Sequence, residues 1–159
     1  IMHTKNGNNN SYNRDDNINY LNWEKAIKKN SFENRIMEFI RNLIKFRNEN
    51  PIFKSSDFKK YLSYHYDNGQ IANFDNSGYW NNSYEQFFGC LINYDRRIYI
   101  ALSKSDYEIN ITLPENAEGK SWHSLLNTSI LNEIDLNIKD YIESKYILNP
   151  HTMAIFMEA

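Results

Sequence analysis

The sequence predicts a mainly β chain: an antiparallel β-sandwich over residues 52–159, preceded by a long polar loop and one amphipathic helix. Three observations predict it. Short alternating or aromatic-rich runs recur after residue 52, with turn formers between them. Residues 31–49 place apolar side chains at helical spacing. Residues 1–30 carry turn formers and only the scattered anchors Tyr12, Ile18, Tyr20, Leu21 and Trp23.

Residues 1–30 read as a long ordered loop or as disorder, and a loop of that length in a compact domain is usually functional or displaced from its context. The helix over 31–49 follows, with Asn30 as its cap and Glu33 three positions on. Phe32, Ile36, Phe39, Ile40, Leu43 and Ile44 make one wide apolar stripe, while Arg35, Glu38, Arg41, Asn42 and Lys45 fill the other face. Asn50-Pro51 ends it, because the residue before proline avoids the helical region. Such a stripe needs an apolar surface to cover.

In the β half, Tyr61–Tyr66 is aromatic-rich, and Gln86–Tyr94 and Arg97–Ser103 flank Asp95-Arg96 as a hairpin. Ile98, Ile100 and Leu102 alternate with Tyr99 and Ala101. Ile109, Ile111 and Leu113 alternate with Asn110 and Thr112 up to the stop at Pro114. Trp122–Leu126 reads as a short strand or a turn, and Tyr84–Phe88 as a strand start or a helical turn. Tyr146–Leu148 and Thr152–Met157, separated by Asn149-Pro150, read as closing strands.

The chain has 159 residues, 41% apolar and 15% aromatic, which suits one domain, or a small domain with a piece of another, and is enough for a real core. Its net charge of -2 lacks the basic surplus of a nucleic-acid binder, so no nucleic-acid partner is expected. No apolar run reaches the roughly 20 residues that span a bilayer, so no membrane partner is expected either. A lone cysteine, Cys90, excludes an internal disulfide and reads as a small buried hydrophobe, with a reducing cytoplasm favoured.

Few residues suggest chemistry on their own. Gly119-Lys120-Ser121 lacks the earlier glycine of a phosphate loop, since position 114 is proline. His3, His65, His123 and His151 share no metal-ligand spacing, so neither metal nor cofactor is expected. Asp15-Asp16 reads as a solvated turn rather than an acid/base pair, because adjacent side chains rarely converge on one atom. Trp23, Trp80 and Trp122 are either sugar-stacking platforms or core residues.

The run Gly7-Asn8-Asn9-Asn10-Ser11-Tyr12-Asn13-Arg14-Asp15-Asp16-Asn17-Ile18-Asn19-Tyr20-Leu21-Asn22-Trp23 closely resembles a signature of the isoamylase and bacterial glycogen-debranching branch of the α-amylase superfamily, approximately G-N-N-N-A-Y-C-Q-D-N-E-I-x-W-L-D-W. Asn13 and Arg14 depart from it, standing where the family has cysteine and glutamine. Leu43-Ile44-Lys45-Phe46-Arg47-Asn48-Glu49-Asn50-Pro51 resembles the end of the family's last barrel helix. Trp80, and Ile111-Thr112-Leu113-Pro114 followed by Trp122, resemble landmarks of its C-terminal sandwich.

The resemblance implies that residues 1–51 are the last loop and last helix of a catalytic (β/α)₈ barrel, and that 52–159 are the C-terminal β-sandwich. A barrel of about 250 residues does not fit here, so the helix stripe would face an upstream barrel absent from this chain. The implied activity is hydrolysis of α-1,6 branch linkages in glycogen or branched dextrin by the full-length enzyme. It would proceed by a retaining double displacement between carboxylates about 5 Å apart. Those carboxylates lie upstream in the family, so no catalytic residue is expected here and the segment alone should be inactive. Asn8, Asn9, Asn10, Tyr12 and Asp15 are the implied substrate contacts, although the same asparagines can instead tie the loop to itself. The rival readings are a non-catalytic sandwich that binds glucan or serves a structural role, and a piece of a branching enzyme or maltooligosyl-trehalose hydrolase.

Overall fold

In the computed structural model, the described residues are 6, 7, 10, 12, 15–72, 77–130 and 141–159. Backbone contacts divide the chain into two compact units, Ile1–Lys45 and Phe46–Ala159.

The first unit holds α1 (Trp23–Ile27) and most of α2 (Phe32–Glu49). Helix α1 falls inside the segment expected to be loop. Its start is set by Asn22, whose side-chain oxygen accepts the Lys25 N–H at 3.1 Å. The expected cap of α2 shifts by one residue. Asn30 sits at φ 64°, a left-handed turn between the helices. Ser31 then caps instead, its Oγ accepting the Asn34 N–H at 3.0 Å and donating to the Lys25 carbonyl. Asn34 Nδ2 donates to the Ala26 carbonyl, which joins α1 to α2. The far end of α2 stops where expected: Asn50 Nδ2 folds back onto the Phe46 carbonyl at 2.8 Å.

The second unit is an antiparallel sandwich. A seven-stranded sheet runs β2 (Ile71–Ala72), β1 (Leu62–His65), β3 (Phe87–Asn93), β4 (Arg97–Ser103), β9 (Met153–Glu158), β6 (Trp122–Asn127), β7 (Tyr141–Ile142). A two-stranded sheet pairs β5 (Ile109–Thr112) with β8 (Lys145–Leu148). The short helix α3 (Ser77–Trp80) precedes β3. The expected hairpin forms, but Asn93 pairs with Arg97, so the loop is Tyr94-Asp95-Arg96. Tyr94 leaves the ladder and sets its ring edge-on to Tyr61 at 4.8 Å. Trp122–Leu126 resolves as strand, and Tyr84–Phe88 as a turn entering β3. The two closing strands enter different sheets, with Asn149-Pro150 crossing between them.

The core lies between the sheets. Phe87, Leu91, Tyr99, Ala101, Trp122, Ala154 and Phe156 of the large sheet meet Ile111, Leu113 and Leu148 from the small-sheet side. On β4 the inward face is therefore Tyr99 and Ala101, while Ile98 and Ile100 belong to the opposite face. Ile98 and Ile92 are nevertheless fully buried. Phe46, Phe53 and Phe58 stack in sequence, centroids 5.6 and 6.2 Å apart, across the two 3-10 turns Pro51–Lys54 and Phe58–Tyr61.

Tyr99 dictates one glycine. A Cβ at Gly89 would lie 2.1 Å from the Tyr99 hydroxyl and 2.9 Å from its Cζ. That hydroxyl is buried without a hydrogen-bond partner among the described residues. Gly89→Ala is expected to lower stability by about 1–3 kcal/mol, the usual cost of overpacking a core. Tyr99→Phe should be near neutral alone, because it deletes an unsatisfied buried hydroxyl, and should recover part of the Gly89→Ala loss. Urea unfolding of the two single variants and the double variant measures this; additive losses would contradict the contact.

His65 provides a second test. It is 4% exposed, with Nε2 2.9 Å from Ser63 Oγ and Nδ1 3.0 Å from the Gly69 carbonyl. Burial lowers its pKa below the ordinary histidine value, against the opposing pull of the Gly69 carbonyl and with a smaller push from Arg97. The folded state therefore resists the proton that the unfolded chain accepts near about pH 6.5. Stability from this site is complete above that pH and declines as pH falls. Comparing wild type with His65→Gln between pH 7.5 and 5.5 should show the larger loss in wild type.

Candidate functional site

The residues singled out by the signature sit in the first unit. Asn8 and Asn9 lie outside the described residues. Asn10 Oδ1 accepts the Tyr12 N–H at 3.2 Å, and the Tyr12 ring is fully exposed. Asp15 Oδ1 accepts the Tyr20 hydroxyl at 2.7 Å. Its neighbour Asp16 has other partners, accepting the Ile18 N–H on its side chain and the Asn19 N–H on its carbonyl. The two carboxylates thus serve separate local turns and form no acid/base pair. Asn10, Asp16 and Asn22 each bond a backbone N–H two or three residues on, the self-tying pattern open to short polar side chains. Sequence reasoning missed Tyr20 as the partner of Asp15; its signal was its place as an aromatic anchor within a polar run.

A second site lies in the sandwich unit, on the side of the large sheet away from the core. Trp80 ends α3 with 47% of its surface exposed. Among the described residues, rings that pack on it include Tyr79 and Tyr64, edge-on at 5.1 and 5.8 Å, and Phe88, tilted at 5.7 Å. Tyr79 anchors the helix, its buried hydroxyl donating to the Phe87 carbonyl at 2.9 Å with burial pushing its pKa up to about 12. An open cavity of about 240 Å³ is lined by Trp80, Phe88 and Leu102 and edged by Asn82, Glu85, Gln86 and Lys104. Trp122 is excluded as a platform: it is 1% exposed, with its indole N–H donated to the Pro114 carbonyl at 2.7 Å. Trp23, in the first unit, is 62% exposed.

Other candidates carry no site. Cys90 is 8% exposed and burial pushes its thiol up to about 11, so it is an inert core residue at neutral pH. The Gly119-Lys120-Ser121 run is a turn, with the Lys120 N–H bonded to the Ala117 carbonyl. Among the described residues no group of three or more His, Cys, Asp or Glu is placed to hold a metal, and no helix is long and apolar enough to cross a membrane.

The chain is 29% identical over 139 residues to "Isoamylase 3, chloroplastic" of Oryza sativa subsp. japonica, covering 84% of this chain and 16% of that relative. It is 32% identical over 129 residues to "Isoamylase 1, chloroplastic" of Arabidopsis thaliana, covering 80% of this chain and 15% of the relative. The chain is isoamylase-like. It spans about a sixth of the length of these relatives, matching their C-terminal region. The isoamylase-like chain also shares its fold with a solved structure, "Pullulanase from Bacillus acidopullulyticus". That match has a TM-score of 0.67 at 15% identity and covers 98% of this chain and 17% of the other. No protein-family model matches the sequence.

The Asp15–Tyr20 bond is directly measurable. The Asp15 carboxylate accepting its hydroxyl holds the Tyr20 phenol above the ordinary tyrosine value. Ultraviolet titration of the difference between wild type and Tyr20→Phe should give a tyrosine titrating above about pH 10. Asp15→Asn should bring that titration down, and an unmoved midpoint would exclude the bond.

Proposed function

We propose that the chain is the C-terminal portion of an α-glucan debranching glycoside hydrolase that cleaves α-1,6 branch linkages in glycogen or branched dextrin. The observation that carries this is identity of about three residues in ten with isoamylases over four-fifths of the chain. In this reading residues 1–51 are the last loop and last helix of a catalytic barrel, and 52–159 the sandwich that follows it. The apolar stripe of α2 supports that division, since Phe32, Ile40 and Ile44 are 40–56% exposed and a barrel wall would cover such a stripe.

The carboxylates that cleave the bond belong to the upstream part of the parent. The leader contributes substrate contacts: Asn8, Asn9, Asn10 and Asp15 offer amide and carboxylate groups to sugar hydroxyls, and the exposed Tyr12 ring offers a stacking face. Their role is to orient the glucan, which conserves the entropy otherwise lost in reaching the reactive geometry. The lone buried thiol suits a reducing compartment, and we place the protein in the cytoplasm, whereas the plant relatives carry a chloroplastic designation.

The full-length parent should release linear chains from glycogen, and the 159-residue chain alone should release none. Chromatography of the released oligosaccharides decides this; chains freed by the 159 residues alone would overturn the reading. In the parent, Tyr12→Ala should raise KM for branched dextrin several-fold with a smaller change in kcat, because it removes binding rather than chemistry.

A further inference from the structure

The cleft around Trp80 has the makings of a sugar site separate from the leader. A hexose ring is amphipathic: its C–H face is apolar, and its rim carries hydroxyls. The cleft matches both parts. Trp80 presents an indole whose orientation is fixed by Tyr64, Tyr79 and Phe88, so little side-chain freedom remains to be lost on binding. Phe88 and Leu102 extend the apolar floor, Leu102 being 38% exposed.

The rim is polar and mixed in character. Asn82 uses Oδ1 to accept the Tyr84 N–H, leaving its amide N–H₂ to donate. Gln86 uses Nε2 on the Tyr84 carbonyl, leaving its oxygen to accept. Glu85 bonds the Phe87 N–H through one carboxylate oxygen, and Lys104 spends one ammonium hydrogen on the Ser83 carbonyl. Donors and acceptors of both charges therefore border one aromatic plate, an arrangement suited to neutral hydroxyls rather than to an ion of either sign. The volume of about 240 Å³ lies below the roughly 300–1,000 Å³ of pockets that engulf a drug-sized ligand. It fits a single sugar unit of a chain that continues into solvent.

We infer that the Trp80 cleft is an accessory α-glucan-binding site on the sandwich unit, taking one glucosyl residue of a polysaccharide by stacking on the indole and bonding to Asn82, Glu85, Gln86 and Lys104. The choice of α-glucan as the sugar rests on the debranching reading; the site itself rests on the cleft.

Affinity electrophoresis in native gels containing glycogen, with dextran gels as control, tests it on the full chain. The unmodified protein should be retarded by glycogen. Trp80→Ala should need about five- to tenfold more glycogen for equal retardation, the order expected for losing one stacking contact. The surface pair Asn82→Ala with Gln86→Ala should shift in the same direction, and it decides the matter if Trp80→Ala disturbs folding. Equal retardation of all three proteins, or none for the unmodified chain, overturns the proposal. So does mobility that varies with protein concentration but not with glycogen, because a second copy then fills the cleft. Retention lost in the variants while the parent's debranching fails supports the site and rejects the enzymatic reading. Retention indifferent to Trp80 while debranching stands does the reverse.

Discussion

Tyr99 lies at the centre of the sandwich with no exposed surface, its ring reaching His65 on β1, Trp122 on β6 and Phe156 on β9 within centroid distances of 5.8, 6.2 and 6.3 Å. One side chain thus touches three other strands of the large sheet. It can do so only because Gly89, beside it on β3, has no Cβ. The constraint propagates. With Tyr99 laid across Gly89, His65 packs edge-on against its ring, and Trp122 turns its indole N–H toward the Pro114 carbonyl. Buried rings with a polar edge need such an outlet. Tyr99 itself has none among the described residues, so packing alone holds it.

One end of the core is closed by charge. Arg97 and Glu158 pair with side chains 18% and 5% exposed. Burying such a pair is costly unless the remaining polar atoms are satisfied. Here they are shared out: Glu158 also accepts the Ala117 N–H, Arg97 also donates to the Glu115 carbonyl, and the guanidinium lies 5.4 Å over the Trp122 ring. The network pins the 115–121 loop against β4, β6 and β9. The strands thereby hold a connection that has no ladder of its own.

Much of this architecture was legible because strand alternation and helical spacing are local properties. Helix α2, the β3–β4 hairpin and the strand β5 just ahead of Pro114 all announce themselves in windows of a few residues. The inward face of β4 did not. Ile98, Ile100 and Leu102 look like the core side by hydrophobicity, yet Tyr99 and Ala101 face inward, since that choice depends on a glycine ten residues away and on a partner sheet. The assignment of β8 and β9 to different sheets, and the pairing of β5 with β8 across more than thirty residues, are likewise non-local. In the leader, the spacing of Asn and Asp signalled turns, but not that Asp15 would take the Tyr20 hydroxyl. The fates of the tryptophans show the same limit: Trp122 and Trp80 are equal as residue types, and only their places in the fold bury one and expose the other.

From Asp15 onward the polar leader folds onto itself. Asp16 and Asn22 each commit a side-chain oxygen to a nearby backbone N–H, so the stretch from Asp15 into α1 is a series of tight turns built from its own residues. Each turn fixes backbone freedom worth roughly 1–2 kcal/mol per residue. Short polar side chains so placed hold their own backbone in turns, and the Tyr20 hydroxyl fixes Asp15 in addition.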